Sequence, residues 1–65
     1  MNRYYLRARP PMPGTIPAGA YDVEAYDYRT FQADAGRDVW GWAEYKRELT
    51  AQEINDYELI QPLTT

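Results

Sequence analysis

The stretch that decides the fold is VWGWAEYKRELTAQEI, residues 39–54. Its first half, through Lys46, predicts a β-strand, because Val, Trp and Tyr are enriched in strands. Its second half holds Thr50 and Glu53 at the spacing of a capping box, in which each side chain bonds the backbone amide of the other residue. The stretch therefore predicts a strand followed by a helix that begins at about Ala51.

The predicted helix is short. Leu49 and Ile54 occupy the two positions of a hydrophobic staple, and Tyr57 shares a helix face with Ile54. Pro62 prevents the helix from continuing, so we expect about two turns. Residues 59–63 then either add a brief edge strand or simply cover the sheet.

Two further strands precede this stretch. Alternation predicts a first, half-buried strand over residues 3–8 and a second over residues 21–31, with a bulge or bend where the alternation weakens after Tyr26. Between them, residues 10–19 hold four prolines and two glycines, which predicts a stiff loop. Residues 32–38 suit a hairpin connection to the third strand.

These elements predict one small α+β domain over residues 1–65. We expect a three-stranded, mainly antiparallel sheet with one short C-terminal helix packed across one face, in the order β-β-β-α. A chain of 65 residues has room for one core, and without cysteine it has no disulfide. Seven tyrosines, two tryptophans and one phenylalanine must therefore supply the core, with dimerisation as a second means of stabilisation.

The composition excludes several kinds of site. The absence of histidine and cysteine removes His-based catalytic triads, thiolate chemistry and the usual zinc ligands. Asp22, Glu24 and Asp27 are close in sequence, but no base–nucleophile pair or cofactor loop accompanies them. We therefore expect a protein without enzymatic activity, metal or cofactor.

Charge is unevenly distributed along this acidic chain of net charge −3. Arg3, Arg7 and Arg9 lie in an N-terminal segment without acids, and all ten carboxylates follow later. If the first two strands pair, these arginines lie opposite Asp22 and Glu24 as ordinary cross-strand ion pairs. The acidic balance disfavours nucleic acid as a partner, because that affinity depends mainly on phosphate neutralisation.

Residues 1–7 are interrupted by charge at once, and no stretch of the chain approaches the length of a signal-peptide core or a membrane span. We therefore expect a cytoplasmic protein that does not contact a membrane.

The two tryptophans offer two interpretations. In a regular strand Trp40 and Trp42 point to the same face, and if the helix covers that face both rings are core, as their large area favours. If the helix covers the opposite face, where Gly41 and Ala43 admit it, the rings belong to an exposed aromatic patch, which is a binding surface. The members of that patch would be Tyr5, Tyr26, Tyr28, Trp40 and Trp42, with Arg3 and Arg7 at its rim.

Our leading hypothesis is a non-enzymatic interaction or accessory module that contacts a protein partner, or a second copy of itself, through this aromatic face. Tyr, Trp and Arg are the residues enriched at interface hot spots. The alternative is a weak single-stranded nucleic-acid binder that stacks bases on the same rings beside the N-terminal arginines.

Four blocks of the sequence carry a resemblance to a known group of proteins. They are YY at 4–5, RPPMPG at 9–14, WGWAEY at 40–45 and ELTAQEI at 48–54. In these blocks the chain resembles small uncharacterised proteins found among the accessory genes of conjugative elements in gut bacteria. The resemblance implies a bacterial, cytoplasmic accessory protein of a mobile element and assigns no role to any residue.

Overall fold

A computed structural model describes residues 1–63. Within them the elements are β1 (Asn2–Leu6), β2 (Asp22–Gln32), β3 (Arg37–Tyr45), α1 (Ala51–Asp56) and β4 (Leu59–Ile60). The strands form one sheet in the order β2-β3-β1-β4, and every neighbouring pair is antiparallel. The predicted α+β class is confirmed, but the described sheet has four strands and not three. Residues 64 and 65 of the predicted domain lie outside the described part.

Strand pairing differs from the arrangement considered from the sequence. β3 lies between β1 and β2, so the predicted ion pairs of the N-terminal arginines with Asp22 and Glu24 do not form. Arg3 is instead opposite Glu44 of β3. Of the two alternatives for residues 59–63, the structure has the edge strand at Leu59–Ile60, where Ile60 pairs with Tyr5.

One face of the sheet carries the larger core. Its buried residues are Tyr4, Leu6, Ala43, Tyr45, Leu49 and Leu59. Ile54 and Tyr57 pack against it, so α1 and the residue that ends it cover the Ala43 side of β3, where small side chains admit a helix. The proline-rich loop also contacts this core, because the Tyr45 hydroxyl donates to the Pro17 carbonyl at 2.6 Å.

The opposite face is also buried at its centre. Tyr5, Ala35, Val39 and Trp42 form a second cluster, with Tyr26 and Ile60 packed against it. β1 is therefore covered on both faces, and the prediction that it is half-buried was wrong. The reason is that residues of the hairpin turn and of β4 cover the face that the helix leaves free.

A large bulge interrupts β2. Ala25 pairs with Gly41 and Thr30 with Val39, so residues 26–29 stand opposite Trp40 alone. The predicted irregularity after residue 26 is confirmed. Such an insertion leaves the extra residues without partners on the neighbouring strand and increases the local twist.

The alternation of side chains along β3 also breaks opposite the bulge of β2. Val39 and Trp42 are three positions apart, which in a regular strand puts them on opposite faces, yet they pack in one cluster. The break lies at Gly41, whose φ is +154°. Trp40 belongs to neither cluster, so the prediction that Trp40 and Trp42 share a face was wrong.

The helix start matches the sequence prediction. The Thr50 hydroxyl accepts from the Glu53 amide at 3.1 Å, and the Glu53 carboxylate accepts from the Thr50 amide at 2.9 Å. Arg47 donates two hydrogen bonds to the same carboxylate, each 2.9 Å long. The helix ends at Asp56, and Glu58 turns the chain into β4 with φ at +56°. No helix within residues 1–63 combines the length and apolar composition that a membrane crossing requires.

Gly41→Ala tests the close approach of β3 to β2 and the proline-rich loop. An added Cβ would overlap the Glu24 carbonyl oxygen and lie 2.9 Å from the Pro11 Cγ. We expect the free energy of unfolding in urea to fall by at least about 2 kcal/mol. Gly14→Ala is the control, because φ there is +87° but nothing lies within 4 Å. Equal losses for both variants would contradict the expectation.

Glu53→Gln tests the helix cap through its pH dependence. The Arg47 hydrogen bonds, with the Thr50 amide, lower the pKa of Glu53 from 4.5 to about 2. A lowered pKa in the folded state contributes stability that is present above pH 4.5 and is lost as the pH falls towards 2. We expect the melting temperature of the variant to change less over this interval than that of the parent. Glu48→Gln, an exposed carboxylate on the same segment, should keep the parent's profile.

Candidate functional site

The structure separates the residues that the sequence placed on one aromatic face. Tyr5 is 2% exposed and Trp42 9% exposed, so both are core residues and not contact residues. Tyr26 and Trp40 are half-buried, and Tyr28 is 73% exposed. The predicted joint face of five rings is therefore not formed.

Arg3 contributes to the burial of Trp42 on the face of the sheet that the helix leaves free. Its guanidinium carbon stands 3.9 Å from the centroid of the Trp42 ring, a cation–π stack. The same guanidinium is bonded to Glu44, with its Nε and Nη2 atoms 3.0 Å and 2.9 Å from Oε2. Arg3 thus acts as a cover for Trp42 and not as the free rim residue that we predicted. Arg7 is exposed. Its backbone amide donates a hydrogen bond to the Glu58 carbonyl at 3.3 Å.

These positions remove Tyr5 and Trp42 from the stacking surface that the nucleic-acid alternative requires. Bases stack on exposed rings, and the Tyr5 and Trp42 rings are covered. Two of the three N-terminal arginines already pair with carboxylates, Arg3 with Glu44 and Arg9 with Glu58 at 3.1 Å.

Three of the exposed large hydrophobic side chains lie together on β2. This strand is at the edge of the sheet, and all of it is exposed except Tyr26 and Gln32, which are half-buried. Tyr28 and Phe31, the latter 63% exposed, are its largest exposed side chains, with Val23 also exposed. An exposed apolar strand at a sheet edge is a surface on which another chain can pack.

The edge is partly closed by its own side chains. The Asp22 carboxylate accepts from the Val23 amide at 2.9 Å, and the Thr30 hydroxyl donates to the Tyr28 carbonyl at 3.0 Å. These bonds and the bulge restrict continuous strand addition along the edge. What this edge presents to solvent is therefore mainly its side chains.

Tyr26 is tied to the far side of the bulge. Its hydroxyl accepts a hydrogen bond from the side-chain Nε2 atom of Gln32 at 3.0 Å. Burial raises the pKa of Tyr26, so the ring stays neutral over the physiological range. The bulge is thereby closed by a side-chain bond across its two ends.

Two opposite charges flank Tyr28. Asp27 and Arg29 are both exposed, and neither forms an ion pair with another of the residues 1–63. The Arg29 guanidinium carbon lies 5.8 Å from the Trp40 ring centroid, a loose contact. We call Val23, Asp27, Tyr28, Arg29 and Phe31 the β2 edge surface.

Sequence reasoning found Tyr28 but missed Phe31 and Arg29 as surface residues. The available signal was the loss of alternation after Tyr26, which indicates that neighbouring residues no longer share one buried face. That signal does not indicate which strand lies at the edge of the sheet. Phe31 and Arg29 are exposed because β2 has this edge position.

Among the described residues no three histidine, cysteine, aspartate or glutamate side chains converge closely enough to hold a metal ion. Asp22, Glu24 and Asp27 lie on the exposed strand, with no nucleophile–base pair beside them.

Comparison with known proteins gives one result. A family model described as "Defence against restriction A C-terminal" matches residues 1–63. No curated protein and no solved structure matches the chain.

Arg3→Ala tests the cover over Trp42. In a Trp40→Phe background, where Trp42 is the single tryptophan, we expect its emission to shift to longer wavelength and its quenching by acrylamide to increase. The reason is that the guanidinium 3.9 Å above the ring is removed. Arg29→Ala in the same background should leave the Trp42 emission unchanged, because Arg29 approaches Trp40 instead. Unaltered quenching in the Arg3 variant would show that other residues cover the ring.

Proposed function

The chain belongs to the family of the C-terminal region of defence against restriction A, and on this premise we propose that it is a non-enzymatic protein-binding domain that helps protect DNA from restriction. The description of the family supports an accessory role in defence against restriction. The resemblance of the sequence to accessory proteins of conjugative elements supports the same role.

The observation that carries the proposal is the β2 edge surface. β2 is an 11-residue strand in a chain of 65 residues, it lies at the sheet edge, and it exposes Tyr28 and Phe31. Aromatic side chains with a neighbouring arginine are enriched where protein interfaces are strongest. Since these rings contribute little to the core, binding accounts for them better than stability does.

Charge supports a protein partner over DNA itself. The chain has a net charge of −3, and β2 carries Asp22, Glu24 and Asp27 against the single cation Arg29. A surface of this kind repels phosphates, whereas DNA-binding surfaces depend on clustered Lys and Arg. We infer that the domain acts through protein contacts and leaves the DNA to other components.

The test is the double substitution Tyr28→Ala with Phe31→Ala, made in the protein in its natural genetic context. Both side chains are exposed, so the melting temperature should stay within a few degrees of the parent. In a host with an active restriction system, we expect survival of unmodified incoming DNA to fall at least tenfold.

Met12→Ser is the matched control, because Met12 is an exposed apolar residue of the proline-rich loop and not of β2. It should leave protection at the parent level. Full protection by the folded double variant would refute the β2 edge surface as the binding site, and loss of protection in the control would show that any exposed apolar substitution suffices.

A further inference from the structure

We propose that the partner on the β2 edge surface is a second copy of this chain, packed antiparallel about a two-fold axis that passes Tyr28. The proposal rests on the proposed function in one respect: both assign binding to the same surface. It goes further by naming the occupant and the register.

The charges of Asp27 and Arg29 are complementary between two copies. In an antiparallel pairing centred on Tyr28, Asp27 of each copy faces Arg29 of the other, so one apposition forms two opposite-charge contacts. Opposite charges that face each other across an interface favour the contact, and like charges that face each other disfavour it. Within residues 1–63 neither side chain has an ion-pair partner of its own, so both are available.

The other residues of β2 also face compatible residues of the second copy. Tyr28 meets its own copy at the axis, where two largely exposed rings would cover each other. Within β2, Phe31 faces Ala25 and Glu24 faces the neutral Gln32, and Asp22 faces Asp34 only beyond the end of the strand. A shift of the centre by one residue to Asp27 would place two carboxylates opposite each other. The centre at Tyr28 avoids this like-charge contact.

The surface of the domain is large enough for a standard two-fold interface. A standard interface buries about 800 Å² on each partner, which is less than a fifth of the 4348 Å² surface of the domain. Domains this small commonly gain stability by association. A two-fold contact uses the same patch on both copies and closes on itself. The bulge and the side-chain bonds to Val23 and Tyr28 limit further strand addition.

A charge-exchange experiment tests the register. Asp27→Arg places two arginines opposite each other at both contacts, and Arg29→Asp places two aspartates there. We expect the parent chain to sediment as a dimer in a dilution series and each variant alone to dissociate at least tenfold more readily. An equimolar mixture should form a heterodimer, because the two arginines of one variant then face the two aspartates of the other.

Glu24→Arg is the control, because Glu24 faces neutral Gln32 in this register and its reversal should leave the dimer intact. The alternative centre between Tyr26 and Asp27 would pair Glu24 with Arg29, so a dimer lost in Glu24→Arg and kept in Asp27→Arg would overturn the proposed register. Formation of the heterodimer also shows that both charge-exchange variants are folded.

A parent chain that remains monomeric at every concentration, or a mixture that fails to associate, would overturn the proposal. The outcome is independent of the protection assay. A monomer whose protection still requires Tyr28 and Phe31 would mean that the surface serves a different protein, in which case the proposed function stands and the second copy does not.

Discussion

The close approach of Gly41 to the Glu24 carbonyl and to Pro11 is the constraint on which the rest of the structure depends. No side chain fits at this position, and its extended positive φ lets β3 change the face on which its side chains lie. Val39 therefore packs with Trp42 on one side of the sheet, and Ala43 lies on the other. One glycine thus allows a nine-residue strand to serve both clusters.

The two clusters explain why β2 is the most exposed strand of the sheet. Because α1 and the proline-rich loop cover one face and the hairpin turn, β4 and Arg3 cover the other, little of the sheet centre is left for a partner. β2 alone stays exposed along its length. A thin domain that buries both faces has only its edges to offer, and here the longer edge carries the aromatic side chains.

Local signals in the sequence were sufficient for the helix and insufficient for the sheet. The start at Ala51 followed from Thr50 and Glu53, whose bonds join residues three positions apart. The pairing of β1 with β3 joins residues far apart in sequence, and no local pattern encodes it. The break at Gly41 likewise depends on the neighbouring strand, so the separation of the two tryptophans could not be predicted. Tyr28 was found as a candidate because alternation along its own strand, without reference to a neighbour, puts it on the face opposite Val23.

The pairing of β1 with β3 and β4 also governs how the chain reaches its fold. The Leu49 amide bonds to the Tyr4 hydroxyl across 45 positions of sequence, and the most buried strand is synthesised before the others. β1 has no local partner, so during synthesis it cannot pair until β3 has left the ribosome. Closure of this long loop costs chain entropy before the contacts of β1 form, and such non-local pairing favours slower folding than in a helical domain of the same size.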